Sequence, residues 1–182
     1  MRAFISIELP ENVKAGIFHT FEKLKGSGFC SGNFVEKNNL HLTLKFLGDI
    51  SEEDAEKIAQ KLSEIDFRKF AAETGEISFF PNEDYVKVIW VELVSKEIFG
   101  IKKIIEEKLS EIGIPKEERE FSSHITVARI KNIKDKVKFA EKIKDLKSEK
   151  YFFIIDELSL IKSELTKEGP KYKVLKNFVF RN

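Results

Sequence analysis

The sequence HLTLKFLG, from His41 to Gly48, is echoed further along the chain by HITVARI, from His124 to Ile130. Each stretch starts with a histidine, an apolar residue and a threonine, and the alternation of polar and apolar residues predicts a β-strand. The chain has 3 histidines among its 182 residues, and two of them occupy these matched positions. The repetition predicts that the chain is built from two related structural units.

The segments that follow the two histidine strands are also alike. In both, a short polar turn leads to an amphipathic helix and then to a phenylalanine-rich strand. Two such units predict the α+β class, with two pseudo-symmetric lobes of mixed or antiparallel β-sheet and outer helices around a central cleft. We expect residues 1–182 to form a single bilobal domain, because the sequence contains no obvious linker and no low-complexity segment.

The other predicted elements follow from hydrophobic periodicity and from turn residues. They are a strand over 3–9, a helix that ends before Gly26, a helix capped by Ser51, strands over 76–80 and 85–93 joined by a turn with Pro81 and Asn82, helices over 95–112 and 134–146, one long strand over 151–165, a turn at 169–170 and a strand over 171–180.

Composition limits the partners and the compartment. The 32 Lys and Arg residues are balanced by 31 Asp and Glu residues, so no overall basic charge holds duplex nucleic acid, and any nucleic-acid contact must be local. Cys30 is the only cysteine, which excludes internal disulfides and fits a reducing compartment. No signal peptide is evident, and no apolar run reaches the roughly 20 residues of a membrane helix. We therefore expect a soluble cytoplasmic monomer with no membrane partner.

The two repeated motifs place chemically useful groups together. Successive side chains of a strand point to opposite faces, so His41 and Thr43 share one face, and His124 and Thr126 share another. Imidazole titrates near neutral pH, so a pair can supply a general base and a general acid to one reacting centre. Threonine hydroxyls can donate to anionic oxygens. This set suits in-line displacement at phosphorus.

Other reactive residues receive plainer interpretations. His19 lies in the first predicted helix without a repeat partner, so we interpret it as structural or solvated, and Cys30 as a bystander thiol. A metal site needs three or four ligands, and neither motif has an Asp or Glu at ligand spacing, so no metal is expected. The lysine-rich segment over 133–147 is interpreted as a solvated helix face, with RNA docking as the alternative.

The paired histidine strands, the phenylalanine-rich strands and the late SELTKEGPKY over 163–172 resemble the two-histidine phosphoesterase superfamily. Within it, the chain is similar to the RNA 2′,3′-cyclic phosphodiesterase family, once called 2′-5′ RNA ligases, over essentially its whole length. The resemblance implies a bilobal fold and an enzyme without metal or cofactor. Its partner is an RNA with a 2′,3′-cyclic phosphate end, which it opens to a 2′-phosphate, and it weakly joins tRNA halves in reverse.

The resemblance also implies roles for individual residues. The catalytic set that it carries over is His41, Thr43, His124 and Thr126. It makes His41 the proton donor and His124 the proton acceptor, and it assigns Arg129 to the phosphate and Phe46 to the cleft wall as substrate-binding residues. The family has proline directly before the second histidine, where this chain has Ser123.

Strict strand alternation disagrees with two of these assignments. It places Phe46 with Leu42 on the apolar face of the first histidine strand, and Arg129 with Ile125 on the apolar face of the second. Neither side chain then faces the cleft unless the strand ends or twists. The alternative for Phe46 is simple core packing.

Two other functions are compatible with the sequence. The first is a non-catalytic protein that binds RNA ends, and the second is a cyclic phosphodiesterase for a small cyclic nucleotide such as ADP-ribose 1″,2″-cyclic phosphate. The presence of both histidines favours catalysis over binding, because Lys or Arg would bind a phosphate equally well. The near-neutral charge of the chain leaves the small substrate open.

Overall fold

The computed structural model describes residues 1–82, 84–167 and 169–182. Within them the helices are α1 (Glu11–Lys25), α2 (Glu52–Ser63), α3 (Lys96–Ser110) and α4 (Lys136–Lys144), with a 3₁₀ turn at Lys37–Asn39. The strands are β1 (Arg2–Glu8), β2 (Cys30–Phe34), β3 (His41–Asp49), β4 (Phe70–Asn82), β5 (Tyr85–Val94), β6 (His124–Ile133), β7 (Phe152–Ile155), β8 (Glu157–Thr166) and β9 (Gly169–Val179). The predicted α+β class is confirmed.

The two histidine strands lie side by side at the centre of the sheet. The strand order is β7-β4-β5-β6-β3-β1-β8-β9, and β2 pairs with β6. The antiparallel register of β3 and β6 places Leu42 opposite Ile125, and each of these residues directly follows its histidine. A pseudo-two-fold axis that passes between these two residues therefore relates the two motifs.

Each half of the sheet contains strands from both halves of the chain. On the β3 side, β8 and β9 come from the C-terminal part, and on the β6 side, β4 comes from the N-terminal part. The helices cross over in the same way, because α1 follows β1 but contacts β6, whereas α3 follows β5 but contacts β3. The two lobes therefore interlock.

Two predicted boundaries are wrong. The single strand over 151–165 breaks at Asp156, since β7 pairs with β4 whereas β8 pairs with β1 in the other lobe. Pro81 and Asn82 are the last residues of β4 instead of a turn, and the Asn82 side chain accepts hydrogen bonds from the backbone amides of Asp84 and Tyr85 just beyond. Periodicity cannot show either point, because each depends on which strand pairs alongside.

The helices begin and end close to their predicted limits. Ser51 caps α2 by accepting a hydrogen bond from the Asp54 amide at 3.0 Å. Helix α3 covers 96–110 of the predicted 95–112, and α4 covers only 136–144 of the predicted 134–146, with Asp135 as its N-cap and Asp145 as its C-cap. Within the described residues, no helix combines the length and apolar character needed to cross a membrane.

A β-bulge interrupts β3 three residues after its histidine. Thr43 lies opposite Ser6 and Lys45 lies opposite Ile5, so Leu44 has no partner in β1. A bulge reverses the alternation beyond it. Leu44 and Lys45 both point into the core as a result, and the next residue returns to the face that carries Thr43.

The second histidine strand contains the same bulge at the equivalent position. Thr126 lies opposite Trp90 and Ala128 lies opposite Ile89, so Val127 has no partner in β5. Val127 and Ala128 are both buried, and the residue that follows them is exposed. The irregularity is thus a property of the repeat.

The bulge in β3 buries a lysine. Lys45 is 1% exposed, and its Nζ donates to Glu106 Oε2 of α3 at 2.6 Å and to the Pro115 carbonyl at 2.8 Å. Lys102 also bonds to Glu106. Burial raises the pKa of the Glu106 carboxyl, but the hydrogen bonds from Lys102 and Lys45 outweigh this and hold that pKa below its ordinary value. Two buried ammonium groups therefore share Glu106, and Lys102 has a second carboxylate partner in Glu117.

Replacing Glu106 with alanine should lower the free energy of unfolding by about 3–5 kcal/mol, because it leaves the fully buried Lys45 without its carboxylate, whereas Lys102 keeps Glu117. Glu107→Ala is the matched control, since Glu107 lies next along α3 in an exposed pair with Lys103, and it should cost less than about 1 kcal/mol. Urea unfolding measures both values. Similar losses in the two variants would contradict the stabilising role of Glu106.

Candidate active site

Both paired histidines are held in the same way. His41 Nδ1 lies 2.7 Å from the carbonyl oxygen of Asn39, and His124 Nδ1 lies 2.7 Å from the carbonyl oxygen of Ser122. A carbonyl can only accept a hydrogen bond, so each Nδ1 carries a proton and donates it. In the neutral rings, Nε2 is therefore the nitrogen that is free to accept a proton.

The threonine of the first motif completes this arrangement. His41 Nε2 lies 3.0 Å from Thr43 Oγ1 across the same strand face. The hydroxyl can donate to a neutral His41, and it can accept from a protonated one. We define the open face as the side of the sheet that carries His41, Thr43, His124 and Thr126, opposite the side on which Leu42 and Ile125 are fully buried.

Aromatic rings fix the first imidazole from two sides. Phe4 of β1 stacks on the His41 ring with centroids 4.9 Å apart, and Tyr172 of β9 meets it edge-on at 5.4 Å. Phe46 lies next to Phe4, with ring centroids 6.4 Å apart. The His41 side of the open face is therefore an aromatic wall drawn from three strands.

The second imidazole has a similar but separate setting. Trp90 of β5 and Phe80 of β4 meet the His124 ring at steep angles, with centroids 5.7 and 5.8 Å away. Phe80 and Trp90 stack on each other at 5.1 Å. Each imidazole is thus packed against aromatic side chains from strands of its own half of the sheet.

Phe46 and Arg129 both lie on the open face, so strict alternation was wrong for these two residues. Phe46 is 63% exposed instead of buried with Leu42. Arg129 is also exposed. Burial raises the pKa of Tyr172, and the positive charge of Arg129 shifts that pKa in the opposite direction. Tyr172 contacts His41, so Arg129 lies within the electrostatic neighbourhood of the first imidazole. The bulges account for both positions.

The electrostatic environment of His41 is mixed. Burial lowers the pKa of His41 below its ordinary value of 6.5, and the positive charges of Lys14 and of His124, when His124 is protonated, lower it further. The hydrogen bond to Asn39 and the charge of Glu8, which lies opposite His41 in the β1–β3 register, act in the other direction. Lys14 Nζ lies 2.8 Å from the Glu8 carboxylate. His41 is consequently neutral in the free protein near neutral pH, and it lies close enough to His124 for their charges to interact.

Ser123, at the position where the resemblance predicts proline, is held firmly at the entry to β6. It is buried, and its hydroxyl donates to the Leu93 carbonyl of β5 at 2.5 Å. The Leu93 amide donates in return to the Ser123 carbonyl at 3.2 Å. This pair of hydrogen bonds holds the backbone immediately before His124.

The remaining reactive residues stay outside the site. His19 lies on the exposed surface of α1 beside Glu22, and Cys30 is buried in β2, where burial raises the pKa of its thiol. Among the residues that the structure describes, no three His, Cys, Asp or Glu side chains cluster closely enough to hold a metal ion.

Several residues of the site are not predicted from the sequence, although one pattern points to some of them. FISIEL over 4–9 and VIWVEL over 88–93 both precede a helix and both end in Glu-Leu. The structure pairs Glu8 with His41 and Glu92 with His124, so this second repeat predicts the strands that flank the histidines. No comparable signal identifies Tyr172, whose contact with His41 is made by a distant strand.

Comparison with known proteins decides the family. The model of the LigT-like phosphoesterases matches residues 7–90 and again residues 91–172. The chain belongs to the LigT-like phosphoesterase family. The double match agrees with the two structural units around the pseudo-two-fold axis.

Relatives of this LigT-like phosphoesterase match it over nearly their full lengths. A Methanocaldococcus jannaschii protein named RNA 2′,3′-cyclic phosphodiesterase is 37% identical over 179 residues, which are 98% of this chain and 100% of the relative. A Thermotoga maritima protein of the same name is 33% identical over 180 residues, covering 96% and 93% of the two chains.

Solved structures agree with the fold. The Thermus thermophilus protein TT0787 superposes with a TM-score of 0.80 at 26% identity, covering 100% of this chain and 98% of that one. Escherichia coli LigT complexed with 3′-AMP gives a TM-score of 0.78 at 20% identity over 100% and 98% of the chains, which supports the fold alone.

In this LigT-like phosphoesterase, long-range ¹H–¹⁵N NMR should show His41 and His124 with the proton on Nδ1. His41 should titrate below 6.5, because burial disfavours its charged form. In the window between that lowered pKa and 6.5, the folded ring stays neutral while the unfolded ring is protonated, so His41 makes folding less favourable as the pH falls. His41→Ala assigns the signals. A neutral ring with its proton on Nε2 would contradict the predicted tautomer, and titration of His41 at or above 6.5 would contradict the predicted effect of burial.

Proposed function

We propose that this chain is an RNA 2′,3′-cyclic phosphodiesterase that opens a cyclic phosphate end to a 2′-phosphate by acid–base catalysis at His41 and His124. The observation that carries the proposal is the matched pair of imidazoles on one open face, each with Nδ1 bonded to a backbone carbonyl and Nε2 left for proton transfer. The names of the relatives support the same reaction.

The proposed reaction uses both imidazoles. Neutral His124 accepts a proton from water through Nε2 as the water oxygen attacks phosphorus on the side opposite the 3′ oxygen. The new phosphorus–oxygen bond forms while the bond to the 3′ oxygen breaks, and protonated His41 donates its proton to that leaving oxygen. Thr43, Thr126 and Arg129 supply donors and positive charge to the phosphoryl oxygens, and Phe46 lines the cleft beside the substrate.

Substrate binding helps to protonate the acid. His41 is neutral in the free protein because burial lowers its pKa, whereas a bound phosphate brings a negative charge that favours the imidazolium form. Glu8, opposite His41 and half-buried, favours the same form. The equivalent residue of the second lobe, Glu92, is exposed to solvent opposite His124. Solvent screens an exposed carboxylate more strongly, so this difference favours His41 as the acid.

Catalysis explains the site better than phosphate binding alone. A site that only binds phosphate needs side chains with a permanent positive charge. Here two imidazoles, which gain and lose a proton near neutral pH, each have Nε2 available for proton transfer. Because both histidines come from one chain, the site is complete in a monomer. Reverse 2′-5′ ligation of tRNA halves belongs to the same proposal, since the two imidazoles exchange roles when the reaction runs backward.

Incubation of the protein with an oligonucleotide that ends in a 2′,3′-cyclic phosphate should give a 2′-phosphate end, and EDTA should leave the rate unchanged. The expected metal independence rests on Thr43, Thr126 and Arg129 meeting the phosphoryl charge. Mass spectrometry with a 3′-phosphate-specific phosphatase distinguishes the two product ends. A 3′-phosphate product, or activity lost in EDTA and restored by one divalent ion, would contradict the proposed mechanism.

Replacing either His41 or His124 with alanine should lower kcat by roughly 10²–10⁴-fold, the typical cost of a lost acid or base. A substrate with an activated leaving group at the 3′ position needs no acid, so it should restore turnover in His41→Ala and not in His124→Ala. His19→Ala, at the exposed third histidine, is the control and should keep full activity. Rescue of His124→Ala instead would reverse the two roles.

A further inference from the structure

The hairpin of β4 and β5 extends the open face beyond His124. Phe80 stacks on Trp90, which lies opposite Thr126, so Phe80 is on the open face. Tyr85 lies opposite Asn82, two residues after Phe80 in β4. Successive residues of a strand project to opposite sides of a sheet, and Val86, which follows Tyr85 in β5, is buried in the core. Tyr85 therefore continues the surface that starts at the second imidazole.

This surface carries exposed aromatic rings together with positive charge. Phe80 is 38% exposed and Tyr85 is 59% exposed. The Lys87 ammonium lies 4.6 Å from the centroid of the Tyr85 ring. In the register of the hairpin, Val86 and Val88 each lie opposite a residue of β4, whereas Lys87 between them does not. Arg129 of β6 lies directly opposite Val88. The surface therefore combines two rings with a cation at one of them.

Such a surface suits a single strand of RNA. Bases stack on aromatic side chains with little sequence preference, and nearby cations attract the phosphates. Tyr85 lies level with Asn82, and Asn82 is two residues beyond Phe80, which is about 7 Å at the usual rise of a strand. Each ring can therefore receive a separate base. The chain has a net charge of only +1, so affinity for RNA has to come from a local site such as this one.

We propose that the β4–β5 hairpin binds the nucleotide preceding the cyclic phosphate end, with its base stacked on Tyr85 and its phosphate near Lys87. The inference rests on the proposed function and narrows it. The terminal nucleotide occupies the space beside the two imidazoles, and the RNA leaves the site past Phe80. Single-stranded RNA is then the preferred substrate over a small cyclic nucleotide, because only RNA reaches Tyr85.

The test compares kcat/KM for a nucleoside 2′,3′-cyclic phosphate with kcat/KM for a trinucleotide bearing the same end. The wild-type protein should prefer the trinucleotide, and Tyr85→Ala should reduce the ratio of the two values by roughly 5- to 100-fold, as expected for the loss of one stacked base. Tyr85→Phe should keep the ratio. Phe152→Ala is the matched control, because Phe152 is 76% exposed on β7 and lies opposite Glu73, far along β4 from Phe80.

A binding measurement keeps the inference separate from the catalytic proposal. Fluorescence anisotropy with a trinucleotide that ends in a 2′-phosphate should show weaker binding to Tyr85→Ala, and Lys87→Ala should lower the slope of log Kd against log salt by about 0.7. An unchanged substrate ratio and unchanged binding in Tyr85→Ala would overturn the hairpin site while leaving the hydrolysis intact. If the wild-type protein hydrolyses neither substrate, the proposed function fails, and the anisotropy result still decides the hairpin site.

Discussion

The β-bulge that follows each histidine motif is the constraint on which the rest of the site depends. Up to the threonine, regular alternation puts the histidine and the hydroxyl on the open face. The unpaired Leu44 and Val127 then reverse the alternation, which brings Phe46 and Arg129 to that same face. Without the two bulges, both side chains would point into the core, and the site would consist of two imidazoles and two hydroxyls.

The bulge has a different consequence in each lobe. In β6 the bulge turns Ala128 inward, and its methyl side chain needs no hydrogen-bond partner. In β3 the bulge turns Lys45 inward, and its ammonium group does need one. Lys45 needs Glu106, and Glu106 belongs to α3, a helix that follows a strand of the other lobe. The ion pair therefore joins the first histidine strand to the second half of the chain. The same β-bulge therefore has two results, since it exposes Phe46 on the open face and also ties the two lobes together.

The pseudo-two-fold axis gives the imidazoles identical attachments and different surroundings. The Nδ1 bonds to Asn39 and Ser122 set the same tautomer in both rings, as expected from a repeated backbone. The side chains around them have diverged. His41 has Glu8 opposite and Tyr172 at its edge, and His124 lies against the aromatic pair of the β4–β5 hairpin. Equal orientation with unequal electrostatics is the arrangement that one acid and one base require.

The sequence by itself determined the α+β class, the two units, the family and the face shared by each histidine with its threonine, because these depend on local periodicity and on a repeated motif. Tertiary structure decided the rest. The alternation of polar and apolar residues shows no break at Leu44 or Val127, so only pairing with a neighbouring strand reveals a bulge. The break at Asp156 depends in the same way on β7 and β8 joining opposite lobes. Tyr172 reaches His41 from a strand far along the chain, and no local pattern encodes such a contact.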